Sequence, residues 1–439
     1  MAMNYTVSEI LQFVKENDVK FIRLAFCDIF GRQKNISIMP DQLERAFQKG
    51  ISFDASAVRG FLNVEESDLF LVPDPSTLSV LPWRPSHGRV VRLFCNIKRP
   101  DGSYFEGDGR RVLELAVERA AAMGYVCEAG AECEFYLFET DEKGDPLLIP
   151  HDRAGYCDIA PLDKGENVRR EICLTLEQMG MKPESSHHEQ GPGQNEIDFQ
   201  HSGALETADN LIAFKAAVKS IAAGNGLYAS FMPKPLPEES GSGLHMNLSL
   251  LKNGENIFKR GPAEHSAEAE SFIAGVLSRV REITAFLNPL TNSYQRFGGF
   301  EAPRYVTWSH ENRSQLVRIP AGDETSVRME LRSPDPACHP HLAFALLLHA
   351  GLDGIEKGAP LPAPVNRDLY REPPEGEVEE LPRNLALALR LACDSELVRR
   401  IIPEKTLERY VSRKLDEWKA YAAAEDQAAF EQGLYFRKV

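Results

Sequence analysis

The chain has 439 residues, 43% hydrophobic and 26% charged, the make-up of a globular protein with room for two domains. Its net charge of -15 and pI near 5.3 exclude nucleic acid as a main partner, because phosphate contacts need a basic face. The longest apolar run, Leu342 to Leu348, is too short to span a bilayer, and the start Met-Ala-Met-Asn-Tyr lacks the basic and apolar regions of a signal peptide.

Residues 6–16 predict a short helix with Thr6 or Ser8 as its cap. Lys20 to Ile38 reads as strand, turn, strand, with Asp28-Ile-Phe-Gly31 at the turn. Gly50-Ile-Ser-Phe-Asp-Ala-Ser follows, then a loop rich in Glu65, Glu66, Ser67 and Asp68. A small mixed α/β domain is expected here, with Pro82, Pro85 and Arg99-Pro-Asp-Gly102 as candidate boundaries. The expected domains are 1–105 and 106–439.

The second part opens with an Ala- and Leu-rich helix at 111–123 that leads into Cys127 to Phe138. That stretch alternates with period two: Cys127, Ala129, Ala131, Cys133, Phe135 and Leu137 on one face, Glu128, Glu132, Glu134 and Tyr136 on the other. Glu132 and Glu134 then stand about 7 Å apart on one face of a strand. A loop or hairpin at 140–156 and a helix at 165–180 precede His187-His-Glu189, a Gly-Pro-Gly turn and Gln194-Asn-Glu196-Ile-Asp-Phe199. Helices near 206–224 and 265–287 flank a strand in which Leu244, Met246, Leu248 and Leu250 alternate with His245, Asn247 and Ser249. Val327, Met329 and Leu331 alternate likewise with Arg328, Glu330 and Arg332. A helix after Pro340, a Pro- and Glu-rich loop at 371–380 and a helical tail from about 382 complete the chain. The eight cysteines are scattered without a Cys-x-x-Cys pair and suit a reducing cytoplasm.

Three strands, each with one apolar and one polar face, predict an α+β fold with a curved antiparallel sheet whose concave side is a polar site. Glu132, Glu134, Glu189, Glu196 and Glu330 with His245 form an oxygen-dominated donor set, suited to Mg²⁺ or Mn²⁺ and large enough for two ions. Crowded carboxylates of this kind need a cation between them or raise each other's pKa. Either His187 or His188 alone reads as a packed or surface histidine. Arg296, Arg313, Arg318, Arg328 and Arg332 lie close in sequence to Glu301 and Glu330, and guanidinium beside metal is how phosphoryl transfer is stabilised. No P-loop and no Gly-x-Gly-x-x-Gly after a strand is present. Glycoside hydrolysis by Glu132 and Glu134 leaves the arginines and the surplus carboxylates without a role.

Several ordered stretches together carry a family resemblance. They are Phe53-Asp54 with Arg59-Gly-Phe61, Glu65-Glu-Ser-Asp68, Gly130-Ala-Glu-Cys-Glu-Phe135, Asp163 to Arg170, His187-His-Glu189 and Gly193-Gln-Asn-Glu196. Lys234-Pro235, Gly241-Ser-Gly243 with His245, Asn292-Ser-Tyr294, Glu301-Ala-Pro303, Asn312-Arg-Ser314 and Arg328 to Arg332 continue them. Over nearly its whole length the chain resembles the type I glutamine synthetases. The resemblance implies an N-terminal β-grasp domain, a C-terminal catalytic domain and a dodecamer of two hexameric rings with active sites shared between subunits. It implies the reaction of ATP, glutamate and ammonia to glutamine through a γ-glutamyl phosphate.

By the same resemblance Glu134, Glu189 and Glu196 hold one metal, and Glu132, His245 and Glu330 the other. Arg296, Arg332 and the Gly241 backbone hold glutamate, while Arg313, Arg318 and Arg328 face the nucleotide phosphates. Glu184 and Ser249 match nucleotide contacts. Asp54, Tyr156, Glu189 and Glu301 match the ammonium pocket, with Asp54 as base and Glu301 as a closing flap.

The sequence also departs from the family pattern. Asp-Gly-Ser-Ser is Asp54-Ala-Ser-Ala57 here, Asn-Gly-Ser-Gly is Ser240-Gly-Ser-Gly243, and Asn-Pro-Tyr is His339-Pro-His341. The flap at Phe297-Gly-Gly-Phe300 is one residue short, the adenylylated segment reads Asp368-Leu-Tyr-Arg-Glu, and the tail lacks the usual Trp-Glu. The alternative reading is a γ-glutamyl ligase of this fold acting on a small organic amine or polyamine, with a methyl at Ala57 making room. A non-catalytic structural or regulatory relative is a third, although it has no need of six metal ligands and five arginines.

Overall fold

The computed structural model of the protein describes residues 5–84, 87–259, 265–322, 326–374, 376 and 378–439. Pro85 and positions 375 and 377 of the 371–380 loop lie outside them.

The N-terminal part opens with α1 (Val7–Glu16), started by a capping box in which the Thr6 hydroxyl accepts from the Glu9 amide and Glu9 accepts from Thr6. The strands β1 (Val19–Cys27), β2 (Gln33–Ile38), β3 (Ile51–Asp54), β4 (Asp68–Pro73), β5 (Ser79–Val80) and β6 (Arg89–Lys98) form one sheet, with α2 (Leu43–Lys49) beside it. The strand order is β2-β1-β6-β4-β3, with β5 on β6. Only the central β1–β6 pair is parallel. The apolar runs in β1 and β6 follow from this, because central strands are covered on both faces.

The second sheet has eleven strands. They are β7 (Tyr125–Thr140), β8 (Pro146–Pro150), β9 (Pro183–His188), β10 (Gln194–Phe199), β11 (Ser202–Gly203), β12 (Leu227–Ser230), β13 (Leu244–Lys252), β14 (Glu255–Asn256), β15 (Trp308–His310), β16 (Val317–Ile319) and β17 (Met329–Leu331). The main path is β15-β16-β17-β13-β7-β10-β9. The sixteen-residue β7 also pairs with β8, β11 and β12 along its length, so the sheet curls around it. The expectation of a purely antiparallel sheet needs one correction: β15 runs parallel to β16. Short segments on either side of the Asn312–Ser314 turn bring the chain back in the same direction, and the sheet is mixed.

Helices α3 (Gly109–Ala122), α4 (Glu166–Gln178), α5 (Ala204–Gly224), α6 (Ala267–Leu287) and α7 (Pro340–Lys357) pack behind this sheet. The tail adds α8 (Leu385–Asp394), α9 (Glu396–Ile401), α10 (Glu404–Ala422) and α11 (Gln427–Glu431). The apolar run in α7 is buried all round against its neighbours, and no helix among the described residues is long and apolar enough to cross a membrane. All eight cysteines are free thiols.

One buried ion network ties the two sheets together. Arg110, near the start of α3, bonds Asp209 of α5 at 3.0–3.2 Å, Asp74 at 2.8 Å and Glu114 at 3.0 Å. His341 Nε2 lies 2.8 Å from Asp209 Oδ1. Burial alone would raise the Asp209 carboxyl, but the Arg110 guanidinium and the His341 hydrogen bond outweigh it and hold it at about 2. A depressed acid stabilises the fold above its unfolded pKa and ceases to do so as pH falls through its folded one. We therefore expect about 2 kcal/mol of stability to be lost between about pH 4 and 2. Asp209→Asn should remove that part of the acid dependence and cost roughly 3 kcal/mol at neutral pH, both read from urea unfolding at a series of pH values.

Candidate functional site

Strand register places the acidic residues in a row across the curled sheet. Glu196 of β10 is paired with Glu134 of β7, His245 of β13 with Glu132 of β7, Asn247 with Glu330 of β17, and Glu330 with Arg318 of β16. Because side chains two apart share a face, Glu132 and Glu134 both join the row, as the alternation predicted. Apolar partners beneath them, including Ala131, Cys133, Met246 and Leu331, are buried in the core.

Three groups of ligating atoms result, each with all members within 4.8 Å of one another: Glu132, His245 and Glu330; Glu134, Glu196 and His245; His187, Glu189 and Glu196. His245 Nδ1 lies 3.1 Å from Glu132 and 3.6 Å from Glu330, while its Nε2 lies 3.9 Å from Glu134. The His245 imidazole thus faces carboxylates of two of these groups. His187, read from sequence as packed or surface, stands opposite Glu196 and 3.1 Å from Glu189. Its position two residues before Glu189 was the available signal. His188 points the other way and is buried on Asp152 at 2.8 Å.

The electrostatics differ along the row. Burial pushes the Glu196 carboxyl well up, and repulsion from Glu134, Asp198, Glu189 and Glu132 adds to it. Burial likewise raises Glu134, opposed by His245. At Glu132 burial is outweighed by the His245 and Asn247 hydrogen bonds and by Arg328, which hold the carboxyl well below its usual range. The Glu134 end of the site is therefore short of positive charge. Two neutral groups that sequence reasoning gave no role also bond these acids: Asn247 Nδ2 donates to Glu132 at 3.0 Å and Gln194 Nε2 to Glu134 at 2.8 Å. The signal for Asn247 was its place two residues from His245.

Arginines border the row. Glu330, fully buried, accepts from Arg332 Nη1 at 2.6 Å and from Arg318 Nη1 at 2.8 Å. Arg328 lies 3.5 Å from Glu132. Arg332 also reaches the Glu301 carboxylate at 3.5 Å, and Arg313 is 3.9 Å from it. Glu301 has φ +61 in the 297–305 segment, a strained value for a residue with a Cβ. Arg296 is buried, bonds the Ser333 carbonyl at 3.0 Å and has no hydrogen-bond partner for its Nε among the described residues. A Cβ at Gly241 would stand 2.6 Å from Arg296 Cγ, and one at Gly243 would stand 3.0 Å from Arg296 Nη2 and 3.1 Å from Glu134 and His245. Glycine at both positions lets the backbone run between Arg296 and the carboxylates.

Other predicted residues stand apart. Tyr156 is exposed and sets its ring edge-on to His187 at 5.2 Å. Ser249 lies further along β13, opposite Glu128. Glu184, exposed on the edge strand β9, has no side-chain partner among the described residues. Asp54 belongs to the other sheet, is exposed, and accepts from the Ser56 hydroxyl at 2.6 Å and amide at 2.9 Å.

This geometry is accompanied by close similarity to known proteins. The family described as Glutamine synthetase, beta-Grasp domain matches residues 18–100, and that described as Glutamine synthetase, catalytic domain matches 106–432. A glutamine synthetase of Clostridium saccharobutylicum is 47% identical over 424 residues, covering 95% of this chain and 96% of that one. One from Methanosarcina mazei is 46% identical over 425 residues, covering 95% of each. Among solved structures, a GmaS/ADP complex superposes with a TM-score of 0.87 at 30% identity, over 99% of this chain and 100% of that one. The cryo-EM structure of Plasmodium falciparum glutamine synthetase gives 0.86 at 25% identity, over 98% and 99%. With two matched domains and near-complete coverage of its relatives, the chain belongs to the glutamine synthetase family.

Proposed function

We propose that the chain joins ammonia to the γ-carboxylate of L-glutamate at the expense of ATP, through a γ-glutamyl phosphate, releasing glutamine, ADP and phosphate. The observation that carries this reading is the row Glu196, Glu134, Glu132, His245 and Glu330, bordered by Arg318, Arg328 and Arg332. Its oxygen-rich donors and the raised Glu134 and Glu196 carboxyls fit divalent cations of the Mg²⁺ or Mn²⁺ type. Glu134, Glu189 and Glu196 would hold one ion, and Glu132, His245 and Glu330 the other. Bound there, such ions neutralise charge on the phosphoryl oxygens.

The remaining roles fall to side chains. Arg313, Arg318 and Arg328 face the phosphates of ATP, with Glu184 and Ser249 toward the rest of the nucleotide. Arg296, Arg332 and the Gly241 backbone orient glutamate so that a γ-carboxylate oxygen attacks the γ-phosphorus and ADP leaves. Ammonium then loses a proton to Asp54, its nitrogen attacks the acyl carbon, and phosphate departs. Tyr156, Glu189 and Glu301 complete that pocket, with Glu301 closing over it. Hydrogen bonds from Ser56 hold the Asp54 carboxyl down, so it is ionised and ready to attract a cation. Asp54 sits on the first sheet; in line with the family resemblance, a second copy of the chain supplies it in a homo-oligomer of two hexameric rings.

The test is ATP- and glutamate-dependent phosphate release with ammonium against a panel of alkylamines and polyamines. Preference for ammonium supports the reading, and preference for an amine replaces it. Asp54→Ala is expected to raise the KM for ammonium by roughly 10²-fold while amine-independent ADP formation from ATP and glutamate persists. Full activity of that variant at limiting ammonium would remove Asp54 from the pocket.

A further inference from the structure

A basic cavity of about 450 Å³ lies away from the acidic row, between the β1–β2 turn, α5, α10 and the segment 434–439. Lys215 and Lys219 enter it from α5, Lys414 from α10 and Lys438 from the last segment. Arg32, Lys34 and Arg59 come from the first sheet's side. Among the described residues that line it, Asp28 and Glu417 are the acidic side chains set against these seven basic ones, and Val439 also forms part of the wall. In a chain of net charge -15 this is a local reversal of sign.

The two carboxylates are already engaged. Glu417 accepts from Lys414 at 3.0 Å and from the Tyr435 hydroxyl at 2.6 Å. Asp28 accepts from the Phe30 and Arg32 amides at 3.0 Å each, and Lys34 is 4.0 Å from it. Lys215 donates to the Pro336 carbonyl. Among the described residues, Lys219 meets the Phe231 ring at 5.7 Å and Arg59 the Phe30 ring at 5.1 Å, and neither makes a side-chain hydrogen bond. Arg32 and Lys438 make no side-chain hydrogen bond among the described residues, although the Arg32 charge is felt at Asp28. Burial, with Lys215 and Arg32 nearby, lowers Lys219 to about 8. Cations held together and partly stripped of water are unfavourable unless an anion joins them.

We propose that this cavity binds a small metabolite carrying at least two negative charges on phosphate or carboxylate oxygens. The space is that of a typical small-molecule site. Lysines surrounding an open centre suit an oxyanion bound by point charges rather than by one planar fork. A bound anion links the β1–β2 turn to α5 and to Pro336, which follows the Ser333 and Pro334 carbonyls that hold Arg296. The site is thus placed to regulate the acidic row from behind, and its occupancy does not depend on the reaction proposed above.

The experiment titrates the full chain, free of divalent metal, with pyrophosphate and separately with citrate at about 0.15 M salt, followed by calorimetry. Binding of pyrophosphate alone identifies a phosphate ligand, and of citrate alone a polycarboxylate. Affinity should fall roughly tenfold for each cation removed in Arg32→Gln and Lys219→Gln, and survive in Lys219→Arg. Saturating ADP should leave it unchanged. No binding of either anion, equal affinity in the Arg32→Gln/Lys219→Gln variant, or competition by ADP overturns the proposal. Loss of cations relieves repulsion, so both variants should melt no lower than the parent chain.

Discussion

Glu330→Ala is expected to abolish ADP formation from ATP and glutamate, and Glu330→Gln to lower it by at least ~10³-fold. Glu330 is fully buried and is bonded by two guanidiniums while it also faces His245. Burial by itself would raise its carboxyl, yet Arg332 and His245 keep it below the ordinary range, so the native site holds it charged. Glutamine keeps the shape and removes the charge, leaving Arg318 and Arg332 without their shared partner. Breaking a buried pair in this way costs about 3–5 kcal/mol, so activity and thermal unfolding must be measured together. Mn²⁺ supplies a further readout. At 100 times its Kd a bound ion stabilises the parent chain by about 2.7 kcal/mol, and most of that rise should vanish in Glu330→Gln. A folded Glu330→Gln chain with parental turnover and an undiminished response to Mn²⁺ would contradict the role given to the acidic row.

Arg332→Met is the second large effect, with kcat/KM for glutamate falling by about 10³-fold and nucleotide affinity within a few-fold of the parent. Arg332 is 1% exposed and joins Glu330, across the 2.6 Å bond, to the carbonyl and carboxylate of Glu301. Under the proposed roles, removing it takes away a fork that orients glutamate and at the same time frees Glu301. Arg332→Lys keeps the charge and loses the planar fork, so it should recover kcat only partly while the KM for glutamate stays high. If Arg332→Met weakened ATP binding and left the KM for glutamate unchanged, Arg332 would belong with the arginines proposed to face the phosphates instead.

Local pattern was legible because period-two alternation and the first turns of helices depend on near neighbours alone. Cys127 to Phe138 could be read as a strand with Glu132 and Glu134 on one face, and the cap of the first helix narrowed to Thr6 or Ser8, without any knowledge of partners. His187 was not legible in this way. Its role depends on β10 lying beside β9, a pairing that the alternation of β9 cannot specify. Asn247 and Gln194 were hidden for a related reason, since an amide matters here only through the carboxylate opposite it. The parallel β15–β16 pair follows from where the 311–316 turn returns the chain, which no repeat in the sequence encodes.

By itself the sequence determined which side chains face polar surroundings, the chemical type of the donor set and, through its ordered motifs, the family. Tertiary structure decided the register that sets His245 between two groups of carboxylates, the burial that separates Glu132 from Glu196 in charge preference, and the gathering of cations in the β1–β2 cavity. The reason is physical. Alternation and capping are short-range, whereas desolvation and Coulomb energy depend on distances between residues that only the folded chain brings within a few ångströms.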